Sequence, residues 1–451
     1  MKPWTPRHYQ LHAAERMVTN NAAGLLLAPG LGKTSTTLAA LAALKASGQM
    51  KAALVITPLR PLYDVWPAER EKWSDFALLR MQILHGPKKE RALATEADVY
   101  LINPEGLPWL FQARRGRLPF DVLVVDESTK FKNPASDRFK RLRGVLDKFR
   151  RRYILTGTPH PNGVQDLWAQ VFLLDGGQRL GAYITHFRRR YMIDTAPPHA
   201  SYQQWVPVVG AEAEIRQKIE DICLVLRAED YLDMPELITN DIRVQLPPAA
   251  RTTYDDLHRH FIAELVGGVV TAANAAAKTT KLRQVANGFV YDDRGATEEV
   301  HTRKLEALVE LIDEQQGDPL LVAVAFLSEA ERLGRLLGAP YIGGGVPAAR
   351  VTELIKLWNE GKIPVLLAHP SSVAHGLNLQ AGGRAVCWYG LTYNREEYDQ
   401  FVARVYRQGQ SRGVVVHRII ATDTIDEAIV DSLASKDASQ RAFLAALRRI
   451  L

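Results

Sequence analysis

The chain has 451 residues, 47% of them hydrophobic and 24% charged, which is too long for one core and ordinary in composition for a globular enzyme. Its 57 Lys and Arg against 50 Asp and Glu leave a formal charge of +7, which favours a polyanionic partner only weakly, because a basic balance is usually a solvated surface. The two cysteines, Cys223 and Cys387, are far apart and outside any CxxC pattern, the first ten residues lack the apolar core of a signal peptide, and no apolar run is long enough to cross a bilayer, so zinc, disulfide and membrane classes fall away and a reduced, cytoplasmic protein is expected.

The N-terminal half alternates short apolar runs with helical patterns, the rhythm of an α/β fold with a parallel sheet covered by helices. Strands are predicted at 24–27, 52–57, 98–102, 122–125 and 153–155, and helices at 34–46, 60–72, 135–146 and 165–174. In such sheets ligands gather beyond the C-terminal strand ends. The first of these ends reads LLLAPGLGKTSTT over 25–37. Pro29, Gly30, Leu31 and Gly32 form a turn whose backbone N–H groups can face an anion, and Lys33, Thr34 and Ser35 open the following helix. Lys33 would reach the β- and γ-phosphates of a nucleotide, and the Thr34 hydroxyl would ligate Mg²⁺. The first glycine of the strict GxxxxGK[ST] pattern is Leu27 here, so the loop alone is also compatible with an ordinary strand–turn–helix.

Asp126 and Glu127 follow the apolar run 122–125 directly. Two carboxylates after a buried strand are costly unless paired or bound to a cation. Beside a phosphate loop they read as the second half of an ATPase site, with Asp126 toward Mg²⁺ and Glu127 orienting and deprotonating the attacking water. Two further strand ends carry Thr57-Pro58 and Thr156-Gly157-Thr158-Pro159; the latter is at least a good turn, and its hydroxyls could relay the state of Glu127. Between 138 and 152 eight Lys and Arg are opposed by Asp147 alone, and Arg188-Arg189-Arg190 form a second basic patch; both suit a solvated face or a nucleic-acid backbone.

From about 180 to 302 the alternation stops, prolines punctuate the chain, and helices are predicted at 211–227 and 249–266, with the Ala-rich stretch 271–278 either helical or a connection. From 303 the α/β rhythm resumes, with strands predicted at 320–325, 364–367, 385–388 and 414–420 and helices at 304–316, 329–336, 348–360, 395–407 and 426–435. No second GKT occurs there. Gln400, Arg404 and Arg407 stand at i, i+4 and i+7, one face of a helix, where the arginines could stabilise charge on a transferring phosphoryl group.

The order of these motifs resembles that of the Swi/Snf-type ATPases of helicase superfamily two, over nearly the whole chain. The carriers are RHYQ at 7–10, GLGKT at 30–34, TPLRPLYDVW at 57–66, INPEGL at 102–107, DESTKFKN at 126–133, LTGTPHPNGVQDLW at 155–168, LRQVANGF at 282–289, HGLNL at 375–379 and YDQFVARVYRQGQ at 398–410. The resemblance implies two tandem RecA-like P-loop NTPase lobes, 1–179 and 303–451; the residue pattern of 180–302 reads as a mostly helical insert between them. It implies ATP and Mg²⁺ as cofactors. Gln10 would read the adenine, Arg7 and Gln400 would join the nucleotide site, and Glu127, Lys33, Arg404 and Arg407 would be catalytic. Thr57, Pro58, Thr156, Gly157, Thr158 and Asn378 would touch DNA or couple it to ATP. Thr129 stands where the family usually has histidine, Tyr393-Asn394-Arg395 replaces a typical Trp-Asn-Pro, and His369, Pro370, Val373 and Ala374 precede HGLNL in place of the usual Ser/Thr and paired glycines.

The activity so implied is a DNA-stimulated ATPase that translocates on double-stranded DNA and displaces or remodels bound factors. A strand-separating DNA helicase in replication or recombination, of a phage or other mobile element, is the first alternative, and single-stranded DNA is the second candidate partner. An ATP-gated DNA or protein clamp with little turnover is the second. A monomer without membrane attachment is expected, in a prokaryotic or phage-infected cell; no protein partner can be named.

Overall fold

A computed structural model describes residues 1–113, 118–157, 163–195, 203, 205–226, 235–266, 272–291, 297–373, 377–407 and 410–434, with backbone alone over 261–266 and 272–276. The chain divides into two compact units, Met1–Asp233 and Met234–Leu451.

The first unit is built on seven parallel strands: β1 (Ala22–Leu27), β2 (Ala53–Ile56), β3 (Met81–Ile83), β4 (Val99–Ile102), β5 (Val122–Asp126) and β6 (Arg151–Thr156), with a seventh supplied from much later in the chain. After a short antiparallel pair, β7 (Met192–Asp194) and β8 (Trp205–Pro207), that seventh strand is β9 (Cys223–Leu226). The sheet order is β3-β4-β2-β5-β6-β1-β9. Strands β2, β4 and β5 are buried throughout, which is why they read as unbroken apolar runs and not as alternating patterns. The order matters for the site: β6 lies between β1 and β5, and β2 lies on the far side of β5. Four motif-bearing strand ends are thus laid side by side.

The second unit holds six parallel strands: β10 (Leu237–Val244), then, after a two-stranded hairpin of β11 (Phe289–Tyr291) and β12 (Thr297–Glu299), β13 (Leu320–Ala323), β14 (Tyr341–Ile342), β15 (Val365–Ala368), β16 (Ala385–Trp388) and β17 (Val414–Ala421). Their order is β10-β17-β16-β13-β15-β14. Two parallel-sheet α/β units in tandem are the architecture expected from the motifs.

The segment 180–302 departs from expectation. It is not a helical insert standing by itself: it gives β9 to the first sheet and β10 to the second, and the division between units falls inside it. The helix predicted over 211–227 ends at Ile219, and its second half is β9. Gly24 of β1 makes room for that strand, since a β-carbon there would lie 2.8 Å from Cys223 Sγ. The Ala-rich stretch belongs to a helix, Ala272–Asn287. The helix predicted over 60–72 is two short ones, Leu59–Asp64 and Trp66–Lys72, broken at Val65.

One polar cluster ties the second unit together. Lys304 is fully buried and pairs with Asp426 Oδ2 at 2.6 Å. Its Nζ also donates to Asn287 Oδ1 at 2.7 Å and to the Tyr389 carbonyl at 3.2 Å. Asn287 Nδ2 in turn donates to Glu329 Oε1 at 2.6 Å, and Glu329 Oε2 accepts from the backbone N–H groups of Ala325 and Phe326. The C-terminal end of Ala272–Asn287 and the first turns of Arg303–Glu314, Leu327–Leu337 and Ile425–Ala434 therefore meet at one lysine. Glu329 and Asp426 each sit in a helical first turn, where the helix dipole favours an anion.

Candidate active site

The phosphate loop leaves β1 through Ala28 and turns at Gly30 (φ 88°) and Gly32 (φ 74°), both in the left-handed region that glycine adopts at least cost. Gly32 is needed twice over. A β-carbon there would also collide with Nε2 of Gln10, which donates to the Leu31 carbonyl at 3.2 Å. Gln10 Oε1 accepts from the Arg7 N–H at 2.9 Å, so the exposed Arg7 and the buried Gln10 of the first helix (His8–Thr19) are held against the loop. Leu31 is fully buried and anchors the turn. Lys33 begins the next helix, Lys33–Ala46, and its Nζ donates back to the Leu27 carbonyl at 2.8 Å. Thr34 is half-buried, and the buried Ser35 donates through Oγ to the Gly32 carbonyl at 3.0 Å.

Asp126 closes β5 and is buried. Its Oδ2 accepts from Thr57 Oγ1 at 2.9 Å and Trp66 Nε1 at 3.0 Å, and its Oδ1 accepts from the Glu127 N–H at 3.1 Å. Burial raises its pKa above the usual carboxylate range, against the lowering effects of Trp66, Thr57, the Lys33 charge and the Glu127 N–H. The half-buried Glu127 has φ 51° and ψ 56°, a left-handed conformation that is strained for a residue with a side chain. The β2–β5 register sets Ile56 beside Val125, which brings Thr57 to Asp126; Pro58 then caps the helix Leu59–Asp64. Thr156 is buried at the end of β6, and Gly157 lies against the loop, where a β-carbon would approach Pro29 Cδ to 3.1 Å. Thr158 lies outside the described residues. The first unit thus gathers Gln10, the loop 29–35, Thr57, Asp126 and Gly157 into one site.

In the second unit the expected helix over 395–407 ends at Val402, so Gln400, Arg404 and Arg407 do not share a helical face. Only Gln400 lies on the helix; it is buried, and its Nε2 donates to Glu396 Oε1 at 3.1 Å. Arg404 is 8% exposed and donates to the Gln400 carbonyl at 2.9 Å and the Leu377 carbonyl at 3.2 Å, while its own carbonyl accepts from the Leu379 N–H. Arg404 thereby straps the segment 377–379 to the turn after the helix. Arg407 is half-buried, and Asn378 is exposed.

Residues 9–289 match the SNF2-related domain, and residues 303–409 match the helicase conserved C-terminal domain. The chain belongs to the SNF2-related family. It is 36% identical over 464 residues to the putative protein p41 of Acyrthosiphon pisum secondary endosymbiont phage 1, covering the whole of both. It is 25% identical to the putative ATP-dependent helicase/translocase YwqA of Bacillus subtilis, over 90% of this chain and 45% of that protein. It spans less than half the length of this and the mycoplasma helicase relatives it matches. The SWI2/SNF2 ATPase core of Sulfolobus solfataricus, solved in complex with dsDNA, aligns with 100% of this chain and 97% of that one at 23% identity and a TM-score of 0.46.

The SNF2-related family implies ATP use, and the residues of this site fit a divalent cation beside the nucleotide. Among the described residues no three His, Cys, Asp or Glu side chains form a metal cage. The oxygen donors at hand are the half-buried Thr34 hydroxyl and the buried Asp126 carboxylate, whose pKa burial raises against the lowering effects of its hydrogen-bond donors and the Lys33 charge. This suits Mg²⁺, which takes one or two protein oxygens and completes its shell with phosphates and water. The residue that motif reading passed over is Trp66. Its signal was a tryptophan closing the segment 57–66 with nothing in the pattern to say that its indole turns back to Asp126.

Proposed function

We propose that this chain is an ATP-hydrolysing motor that moves along double-stranded DNA and displaces or remodels what is bound there. The carrying observation is the pairing of the phosphate loop with a buried Asp126 at the ends of strands in one sheet, the arrangement that binds a nucleoside triphosphate and its cation. Mg²⁺, when bound, would neutralise charge on the β- and γ-phosphates. Lys33 would hold those phosphates, Glu127 would take the proton of the attacking water, and Arg407 would stabilise charge on the transferring phosphoryl group. Arg7 and Gln10 would frame the base. The exposed Asn378 would face DNA, and the buried Thr57, Pro58 and Thr156, with Gly157, would couple it to the nucleotide. Duplex DNA as the partner is supported by family membership and by the exposed basic side chains of 140–150. The full-length phage relative suits action in an infected bacterial cell.

The test compares ATP hydrolysis with no nucleic acid, duplex DNA, single-stranded DNA and RNA, alongside triplex displacement and fork unwinding. Strong duplex stimulation with triplex displacement and no unwinding is expected. Efficient fork unwinding would replace this reading with a helicase, and nucleotide binding with negligible turnover on every substrate would replace it with a clamp. Lys33→Ala, Glu127→Gln and Arg407→Ala should each abolish turnover, the arginine by about 10³-fold or more. Wild-type hydrolysis by the Arg407 variant would remove that residue from the catalytic set.

A further inference from the structure

Trp66 is fully buried, and a buried indole N–H needs an acceptor. The acceptor it has is Oδ2 of Asp126, the oxygen that also takes the Thr57 hydroxyl. Both donors are neutral, and both come from one stretch of ten residues. Between them runs the short helix Leu59–Asp64, whose Leu59 and Tyr63 are exposed and whose Tyr63 hydroxyl is 2.7 Å from His85 Nδ1. The break at Val65 (φ −99°, ψ −55°) starts a new helix and turns Trp66 inward from this surface stretch to the buried carboxylate.

We propose that Trp66 is a positioning residue for the cation-facing carboxylate: with Thr57 it clamps Oδ2 of Asp126, and it thereby ties the surface segment 57–66 to the nucleotide site. This rests on the ATPase reading above. Two donors on one oxygen fix the rotation of the carboxylate about its Cβ–Cγ bond, so that Oδ1 is held in place with the Glu127 N–H. A shift of the segment 57–66 changes that rotation through Trp66, because the indole is rigid and its surroundings are closed. Displacement of the segment by a ligand on its exposed side is then felt at the cation-facing carboxylate.

The test uses the full chain labelled with 5-fluorotryptophan. The ¹⁹F resonance of Trp66 is identified by its absence from Trp66→Phe, which keeps an aromatic ring and loses the N–H. That resonance should move on adding ADP with Mg²⁺ and not on adding ADP with a chelator. In hydrolysis assays Trp66→Phe should raise the Mg²⁺ concentration for half-maximal rate by about tenfold, the lower end of what loss of a partner behind a metal ligand costs. Thr57→Val should do the same and Thr57→Ser should restore it. A merely structural role would lower the rate and the melting temperature at every Mg²⁺ concentration and leave the half-maximal concentration where it was; that result overturns the proposal, as does a Trp66 resonance indifferent to Mg²⁺ and ADP. If Trp66→Phe does not fold, the Thr57 pair and the resonance that shifts in Thr57→Val decide the matter. Turnover with an unmoved Trp66 defeats this proposal alone, whereas no turnover in the unaltered protein defeats the ATPase reading and this one with it.

Discussion

Replacing Lys304 with methionine should destabilise the second unit by about 3–5 kcal/mol, the cost of removing one partner from a buried ion pair. The structure supports the upper part of that range. Lys304 and Asp426 have side chains 0% and 2% exposed, so no water is at hand to take over. With the ammonium gone, Asp426 Oδ2 keeps the Ala421 N–H at 3.0 Å, and Asn287 Oδ1 loses a donor 2.7 Å away. Methionine matches the lysine stem in length and flexibility, so the cavity contribution is small and the loss is electrostatic. For a unit of roughly 200 residues each kcal/mol moves the melting temperature by about 2–4 °C, so a fall of roughly 6–20 °C is expected in scanning calorimetry. The double replacement Lys304→Met with Asp426→Leu should recover most of the loss, because an apolar pair of similar volume is often neutral relative to a buried ion pair. A Lys304→Met variant within about 1 kcal/mol of the parent in urea unfolding, or a double variant as unstable as the sum of the singles, would refute the view that this pair holds the four helix ends together.

Two further outcomes follow from other sites. Gly32→Ala must place a side chain at φ 74° and displace Gln10 from the Leu31 carbonyl; the left-handed conformation alone costs about 1–2 kcal/mol. Equilibrium binding of a fluorescent ADP analogue should therefore weaken by tenfold or more, and unchanged affinity would remove Gln10 from the nucleotide site. His301 is buried, with Nε2 against the Val285 carbonyl at 2.9 Å and Nδ1 accepting from the Arg303 N–H, and burial first, with the Lys304 charge, lowers its pKa to about 4. The unfolded chain, at its ordinary value near 6.5, takes up the proton first, so the stability His301 contributes is complete above pH 6.5 and is lost as pH falls toward 4. The linkage amounts to about 3 kcal/mol in all. Melting temperature against pH should fall over this window less steeply in His301→Asn than in the parent, and parallel curves would show that His301 does not titrate this way.

The placement of the motifs at strand ends was legible because its sequence signals are local. A turn that needs two left-handed residues calls for Gly30 and Gly32, and a carboxylate pair after VLVV marks the end of a buried strand. Family membership follows from the order of such local signals. The strands β3, β9, β10 and β14 were not legible. All four lie at sheet edges; β3, β9 and β14 are two to four residues long, so few residues carry the pattern, β10 is largely exposed, and β9 completes a sheet begun some 200 residues earlier. Nothing in CLVL says that its partner is β1; the enabling residue is Gly24, on the other strand.

The two arginines after Gln400 show most clearly why spacing was insufficient. At i+4 and i+7 they look equivalent, and a continued helix would make them so. The helix stops at Val402 because the next turn has better partners elsewhere: Arg404 finds the Leu377 carbonyl, Leu379 finds the Arg404 carbonyl, and Gln410 reaches the carbonyls of Gln380 and Gly383. These bonds join 404–410 to the loop 377–383, a pairing across some 27 residues that no helical period can encode. They also set the two arginines in different surroundings. A guanidinium that is 8% exposed and tied to backbone carbonyls of its own unit is placed to hold a loop, while Arg407 is half-buried. The exposed Asn378, between Leu377 and Leu379, thus stands on backbone that Arg404 holds to the turn after the helix, a pairing set by backbone carbonyls and not by the spacing of the arginines.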